Sequence, residues 1–416
     1  MNTDDLIAAL ETALAQIHEL SMTKREKEDL PVDMRETLVN HELGERILPI
    51  LEVQPEFSGK APMINELSGL SGFQSQLVAP ILVREARKRQ SAKAAVDWLQ
   101  KVLRTESGIG LFIQTLWGLA PTEKLSLLED VDLLPFNSLP HSRQKDQLMQ
   151  AEWLHRARLP VPVFAWEPPS AALIAKKEVR PFLLDASLIE KSPIKERAHP
   201  HHLLDEIRLC LAVEGPSIIL PGPSWFQYID PDLEAALLGA ATSFSHQEVL
   251  PIHVPKTSAI DLSGASTLVR AYTELTLTVK TRVHIALTRL HQALTRREPA
   301  DRALEISIAL ETLLVNSPGE HTFKIALRAA MLGSDKVEDR MANRAIIEAA
   351  YGMRSALMHS GHSATVVTVK GQGKRATVEV VSEAGIITAR VIKRIIMKGA
   401  PPDWNQFELS DGKRWK

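Results

Sequence analysis

Between Ser263 and Gly361 apolar residues recur at steps of three and four in one segment after another, and each segment closes on residues that cannot continue a helix. The first runs from Ser263 to Arg297 and ends at Glu298-Pro299. Asp301 then caps a helix whose stripe is Ala303, Ile306, Leu310, Leu313 and Leu314, with Glu305 and Glu311 off it, and Ser317-Pro318-Gly319 stops it. A third runs from Thr322 through Met331 to Gly333. A fourth starts at Glu338 or Asn343 and reaches His359, with Ile346, Ala350, Met353 and Leu357 in step. Stripes of this kind are hidden only against one another, and such short connections favour an antiparallel helical bundle. Beyond it, Thr365 to Val369 and Ala376 to Val381 alternate around Gly371-Gln372-Gly373-Lys374, which predicts a β-hairpin, and Gly385 to Lys398 predicts a closing helix.

Upstream, the chain to about Leu159 reads as helical with polar breaks. Asp4 caps a helix carrying Leu6, Leu10, Leu14 and Ile17; a second runs from Asp33 to Glu52, and a third from Val78 to Leu103. That third helix carries Arg84, Arg87, Lys88, Arg89 and Lys93 on one broad side, with Glu85 and Asp97 nearby, so it reads as a solvated face before a nucleic-acid surface. From Leu159-Pro160-Val161-Pro162-Val163 onward proline is dense, and the short run Ser217-Ile218-Ile219-Leu220 sits between Pro216 and Pro221-Gly222-Pro223. Trp225-Phe226-Gln227-Tyr228 is an aromatic cluster that suits a small satellite core better than a ligand site, and Pro251 to Leu262 reads as a linker. The expected fold is mainly α with a smaller mixed α/β region: an N-terminal helical domain over 1–159, a Pro-rich mixed α/β region over 160–262, and a helical bundle with a basic hairpin and helix over 263–416.

Composition narrows the function. Lys and Arg number 49 against 51 Asp and Glu in 416 residues, so no global field draws the chain to nucleic acid or membrane. The single cysteine, Cys210, closes no internal disulfide, the N-terminus lacks the charge pattern of a signal peptide, and no apolar run approaches the roughly 18 residues of a membrane span. The expectation is a cytoplasmic protein without membrane contact. His41-Glu42-Leu43-Gly44-Glu45 lacks the second histidine of a zinc-protease helix. Ser107-Gly108-Ile109-Gly110 lacks the third glycine of a dinucleotide fingerprint, and no Walker-type phosphate loop occurs. His199, His201 and His202 with Asp205 and Glu206 supply donors, but adjacent histidines point apart, and no metal or other cofactor is assigned.

An arginine followed four to six residues later by histidine occurs at Arg35 to His41, Arg197 to His201 or His202, and Arg354 to His359. Only the last ends a strongly periodic helix within a bundle. In that context Ala309-Leu310-Glu311-Thr312-Leu313-Leu314, then Thr322-Phe323-Lys324-Ile325-Ala326-Leu327-Arg328-Ala329-Ala330, then Tyr351-x-x-Arg354-Ser355-x-x-x-His359 resemble the Apea-like branch of the HEPN superfamily in order and separation. The resemblance covers roughly residues 265–361 and departs at Ser360, where that branch usually has glycine directly after the motif histidine.

The resemblance implies a bundle that pairs with a second copy, so that two such motifs face one cleft, and a metal-independent endoribonuclease in toxin, abortive-infection or antiviral systems, with tRNA among the candidate substrates. The residue types suit the chemistry. An imidazole near neutrality can take a proton from the ribose 2'-hydroxyl or give one to the leaving 5'-oxygen, and a guanidinium offers paired donors to phosphate. The products expected are a 2',3'-cyclic phosphate and a 5'-hydroxyl. His359 is then the general acid or base, Arg354 the phosphate clamp and Ser355 an orienting partner. Tyr351 and Glu311 are supporting residues, with Glu311 able to hold Arg354 or Arg328. Five residues rotate a helix by about 140°, so either the helix loosens before His359 or a partner subunit completes the site. From Lys370 to Lys416 ten Lys/Arg stand against five Asp/Glu, and Lys370, Lys374, Arg375, Lys393 and Arg394 are the expected RNA-binding cations. The N-terminal regions would sense a trigger or choose the RNA. The alternative, favoured by Ser360, is a non-catalytic module for dimerisation or RNA holding.

Overall fold

The structure, a computed structural model, describes residues 3–16, 32–58, 62–66, 70–149, 168–183, 199–215, 217–237, 262–315, 321–360 and 364–410. The chain is mainly α-helical with small β-sheets. It divides into two compact units, neither continuous in sequence. One comprises Met1–Ile113, Ile174–His202 and Ser224–Ser243; the other comprises Gln114–Leu173, Leu203–Pro223 and Phe244–Lys416. Ile17, the 159–163 segment, Ser317-Pro318-Gly319 and all of the expected linker but Leu262 lie outside the described residues.

In the first unit α1 (Thr3–Ala15), α2 (Val32–Glu52), α3 (Ser75–Arg89) and α4 (Ala92–Leu103) bury Leu6, Leu10, Leu43, Ile47, Leu82 and Leu99 completely. Asp4 lies inside the first turn of α1 instead of capping it, where its charge still suits the helix dipole. At Gly44 of α2 a Cβ would stand 2.9 Å from the Pro80 backbone nitrogen of α3, so this glycine permits a close helix crossing. The expected single helix from Val78 to Leu103 is two. Gln90 adopts the left-handed conformation at φ 53°, and the Ser91 hydroxyl accepts from the Ala94 N–H at 3.1 Å to cap α4. Much of the basic side of α3 is engaged internally: Arg89 pairs with Asp232 at 2.7 Å and with buried Glu85 at 3.2 Å, and Arg87 donates to Asn40 at 2.7 Å.

Strands interrupt the stretch expected to be helical. β1 (Met63–Asn65) pairs antiparallel with β2 (Leu70–Gly72) and β7 (Phe182–Leu183). A five-stranded sheet has the order β4 (Leu125–Ser126), β5 (Val131–Pro135), β6 (Ala171–Val179), β3 (Gly108–Trp117), β8 (Leu220–Tyr228). β3 is buried at every residue but Ile109, and a run apolar on both faces carries no period that separates strand from helix. β8 lies at the edge of the sheet, which is where Pro221 and Pro223 are tolerated. Trp225, Phe226 and Tyr228 are all buried, and the Trp225 indole donates to Gln227 at 3.0 Å, so the aromatic cluster is core. The described residues upstream of 262 also include the helices α5 (Arg143–Met149), α6 (His199–Leu211) and α7 (Pro231–Ala236).

From residue 262 the second unit is built of α8 (Ala265–Thr273), α9 (Leu277–Thr295), α10 (Pro299–Leu314), α11 (His321–Gly333) and α12 (Val337–Ser360), then the hairpin β9 (Val366–Val369) and β10 (Gly373–Ala376), α13 (Thr377–Lys398) and α14 (Trp404–Leu409). The expected helix from Ser263 to Arg297 breaks at Glu274–Thr276, where Thr276 is extended with ψ 148°, in a stretch whose β-branched threonines are poor helix formers. Pro299 occupies the first turn of α10, so Asp301 sits inside the helix instead of capping it. Glu305, placed off the apolar stripe by the sequence, is 4% exposed and takes Arg289 at 3.0 Å and Arg296 at 3.2 Å. The second hairpin strand is Gly373–Ala376, paired Gly373 to Val369, with Gly371 and Gly373 at φ 75° and 79° through the turn. Val378 to Val381 therefore belong to α13 and not to a strand, because Val380, Val381, Ala384, Ile387, Val391 and Ile395 are buried at helical spacing.

His291 on α9 is buried, and desolvation, with the Arg208 charge second, pulls its imidazole down to about 3. The folded chain thus favours the neutral ring. The stability this confers is complete above the unfolded histidine value of about 6.5 and is lost as pH falls toward 3. Urea titrations should find the chain about 2 kcal/mol less stable at pH 5 than at pH 8 through this residue, a difference that His291→Gln removes.

Candidate active site

The C-terminal turn of α10 is fixed from outside. Its last carbonyls have no helical partner, and two arginines supply donors: Arg282 reaches the Thr312 oxygen at 2.8 Å and the Leu313 oxygen at 3.2 Å, while Arg328 donates to the Leu314 oxygen. Arg328 is 4% exposed, pairs with Glu408 at 2.7 Å and lies 4.5 Å over the Trp404 ring. Its carboxylate partner is therefore Glu408 and not Glu311.

Glu311, on this pinned turn, faces α12. Its Oε1 accepts from the Tyr351 hydroxyl and from Nη1 of Arg354, and the same Nη1 donates to the Tyr351 oxygen at 2.6 Å. The guanidinium also lies 5.1 Å from the Tyr351 ring centroid. Tyr351 and Arg354 meet because they are three apart on one helix. The Arg354 and Glu311 side chains remain 27% and 28% exposed. Among the described residues both polar contacts use Nη1, and a guanidinium has five N–H donors, so Nε and Nη2 carry donors that this cluster does not use.

Helix α12 runs unbroken through Ser360, so it does not loosen before position 359, and positions 354 and 359 stand about 140° apart around its axis. The side chains of Ser355 and His359 lie outside the described residues. Of the expected RNA-binding cations, Lys370 and Lys374 are exposed on the hairpin. The other three are engaged internally: Arg375 with Glu383 at 2.6 Å, Lys393 with buried Glu214 at 2.5 Å, and Arg394 with Asp335 at 2.9 Å. Beside the hairpin, a cavity of about 380 Å³ opens between α12 and β9. Glu348 and Gly352 on its wall were missed from the sequence, where the only signal was a glycine inside a helical period.

The histidine-rich segment is divided in its uses. The His201 ring packs edge-on against Phe112 at 4.0 Å, and burial lowers its pKa. Asp205 is held by Arg208 at 2.7 Å and Glu206 by Lys280 at 2.9 Å. His199's side chain lies outside the described residues, and among those described no three His, Cys, Asp or Glu side chains gather as a metal site. Cys210 is buried, with desolvation raising its thiol pKa. No described helix is long and apolar enough to cross a membrane. A scan against protein-family models and searches of curated proteins and of solved structures find no match.

Because Glu311 and Arg354 are partly shielded and share the tyrosine, the pair should couple by about 1 kcal/mol. A double-mutant cycle of Glu311→Ala and Arg354→Ala, read by chemical denaturation, measures it. Strictly additive effects would mean that the contact contributes nothing to the fold.

Proposed function

We propose that the chain is a metal-independent endoribonuclease of the HEPN type, cutting RNA through attack by its own 2'-hydroxyl. The observation that carries this reading is the Glu311–Tyr351–Arg354 cluster, which holds the motif arginine on α12 by one nitrogen and leaves its other donor edge for phosphate. His359 moves the proton, Arg354 neutralises the charge growing on phosphorus, Ser355 orients one of them, and Glu311 and Tyr351 position the guanidinium. A helix continuous through Ser360 sets positions 354 and 359 on different faces, so a second copy of the chain completes the site, and growth arrest in antiviral defence or as a toxin is the corresponding role. The rival reading, a non-catalytic module that dimerises or holds RNA, draws on the same cluster: an arginine held by carboxylate and phenol also serves a purely structural joint.

Incubation of the purified chain with total cellular RNA and with tRNA in excess EDTA separates the two. The enzyme leaves 2',3'-cyclic phosphate and 5'-hydroxyl ends and spares DNA. His359→Ala and Arg354→Ala each slow cleavage by at least about 100-fold, and Glu311→Gln slows it by about tenfold. Equal cleavage by wild type and both alanine variants, or 3'-hydroxyl ends, overturns the assignment.

A further inference from the structure

The cavity between α12 and the hairpin is built from two kinds of wall. Ala345, Ala349 and Gly352 give a helix face almost without side chains, and Glu348, Thr368 and Lys370 bring polar groups to it. Its volume of about 380 Å³ falls within the range of small-ligand sites. Gly352 has no packing reason to be glycine: a Cβ built there meets nothing within 4 Å. Glycine is also the poorest helix former after proline. Its bare backbone, well inside a 24-residue helix, keeps the cavity open.

The cavity shares a helix face with the motif histidine. Eleven residues from Glu348 to position 359 complete three turns to within about 20°, and seven residues from Gly352 complete two to the same tolerance. Position 359 therefore continues the cavity face about 10 Å beyond Gly352. A flat wall suits a planar ring, and exposed Lys370 in the turn that follows β9 suits a phosphate. The carboxylate decides the base. Glu348 accepts one bond from Arg344 at 2.8 Å, and a carboxylate has about four lone-pair sites, so it can accept more. Guanine presents two adjacent donors on its Watson–Crick edge. Adenine and cytosine set an acceptor beside a single amino group there, which repels a carboxylate.

We propose that this cavity binds a guanine base carrying a phosphate, with Glu348 accepting the two base N–H groups and Lys370 holding the phosphate. That the base belongs to the RNA being cut, next to the scissile bond, rests on the ribonuclease reading; the binding itself does not.

The test is fluorescence anisotropy on the full chain with single-stranded octanucleotides, one guanosine among uridines or one adenosine among uridines, all 2'-fluoro so that they cannot be cleaved. Guanosine 5'-monophosphate serves as competitor. The guanosine octamer should bind at least tenfold more tightly than the adenosine octamer, and Glu348→Gln should abolish the difference. Gly352→Leu should do the same by filling the cavity, with thermal melting no lower than wild type because the site is open and leucine favours helix. Competition by the monophosphate at the octamer's own affinity identifies a free nucleotide as the source, and octamer binding without it identifies RNA. Equal affinity for the two octamers, or unchanged binding by Gly352→Leu, overturns the proposal. Discrimination of guanosine by a chain that cuts no all-ribose RNA keeps the site and removes the ribonuclease.

Discussion

The second unit depends on burying α13. This helix contacts α8, α9, α10, α11 and α12, and Val380, Val381, Ala384, Ile387, Val391, Ile392, Ile395 and Ile396 along it are at most 3% exposed. A helix apolar around so much of its circumference cannot lie on a surface; it must be surrounded. The consequence reaches the candidate site, because α10 and α12 are two of the helices gathered around it, and their spacing is what lets a glutamate on one reach an arginine on the other. The side chains of the site make their contact, but the hydrophobic burial of a helix that carries none of them sets the distance.

Arginine supplies the second layer of order. Arg282 and Arg328 satisfy the carbonyls at the end of α10, and the Glu305 carboxylate gathers Arg289 and Arg296 near its start. Helix ends with unsatisfied carbonyls fray, and a frayed last turn would not hold Glu311 against α12. A delocalised, always-charged side chain with a planar fork of donors can serve a carbonyl and a carboxylate together, as Arg328 does with Leu314 and Glu408. Lysine could not take its place there.

How much of this was legible in the sequence depended on whether the deciding contact was local. The bounds of α2 and α11, the end of α12, and the meeting of Tyr351 with Arg354 follow from 3.6-residue periodicity, which leaves the start of α12 open between Glu338 and Asn343. The sequence lets Glu311 hold either Arg354 or Arg328, and only the packing of α10 on α12 decides for Arg354. Where two periods compete the reading failed: Val378, Val380 and Val381 are β-branched and read as strand, but the five helices around them decide for helix. The run Gly108–Trp117 failed for a related reason, since complete burial erases the alternation that marks a strand. The periodicity places Glu305 off the apolar stripe and does not show its burial, because its two arginines stand 16 and 9 residues before it in the chain.

The same distinction changes the electrostatic reading of the C-terminal region. Ten cations against five anions overstates the field that RNA would meet, because a cation already paired with a buried or neighbouring carboxylate releases no counterion when a phosphate arrives. Lys393 is spent on Glu214, Arg394 on Asp335 and Arg375 on Glu379 and Glu383. The hairpin lysines, Lys370 and Lys374, stay exposed. Arg390 and Lys398 on α13 are exposed as well, but Lys370 alone of these cations lines the cavity on the open face of α12, so that charge and an uncovered helix face coincide there. An RNA approaching there would meet Lys370 and the Gly352 cavity before reaching position 359. The charge that attracts it and the surface able to read it would then lie on the same side of one helix.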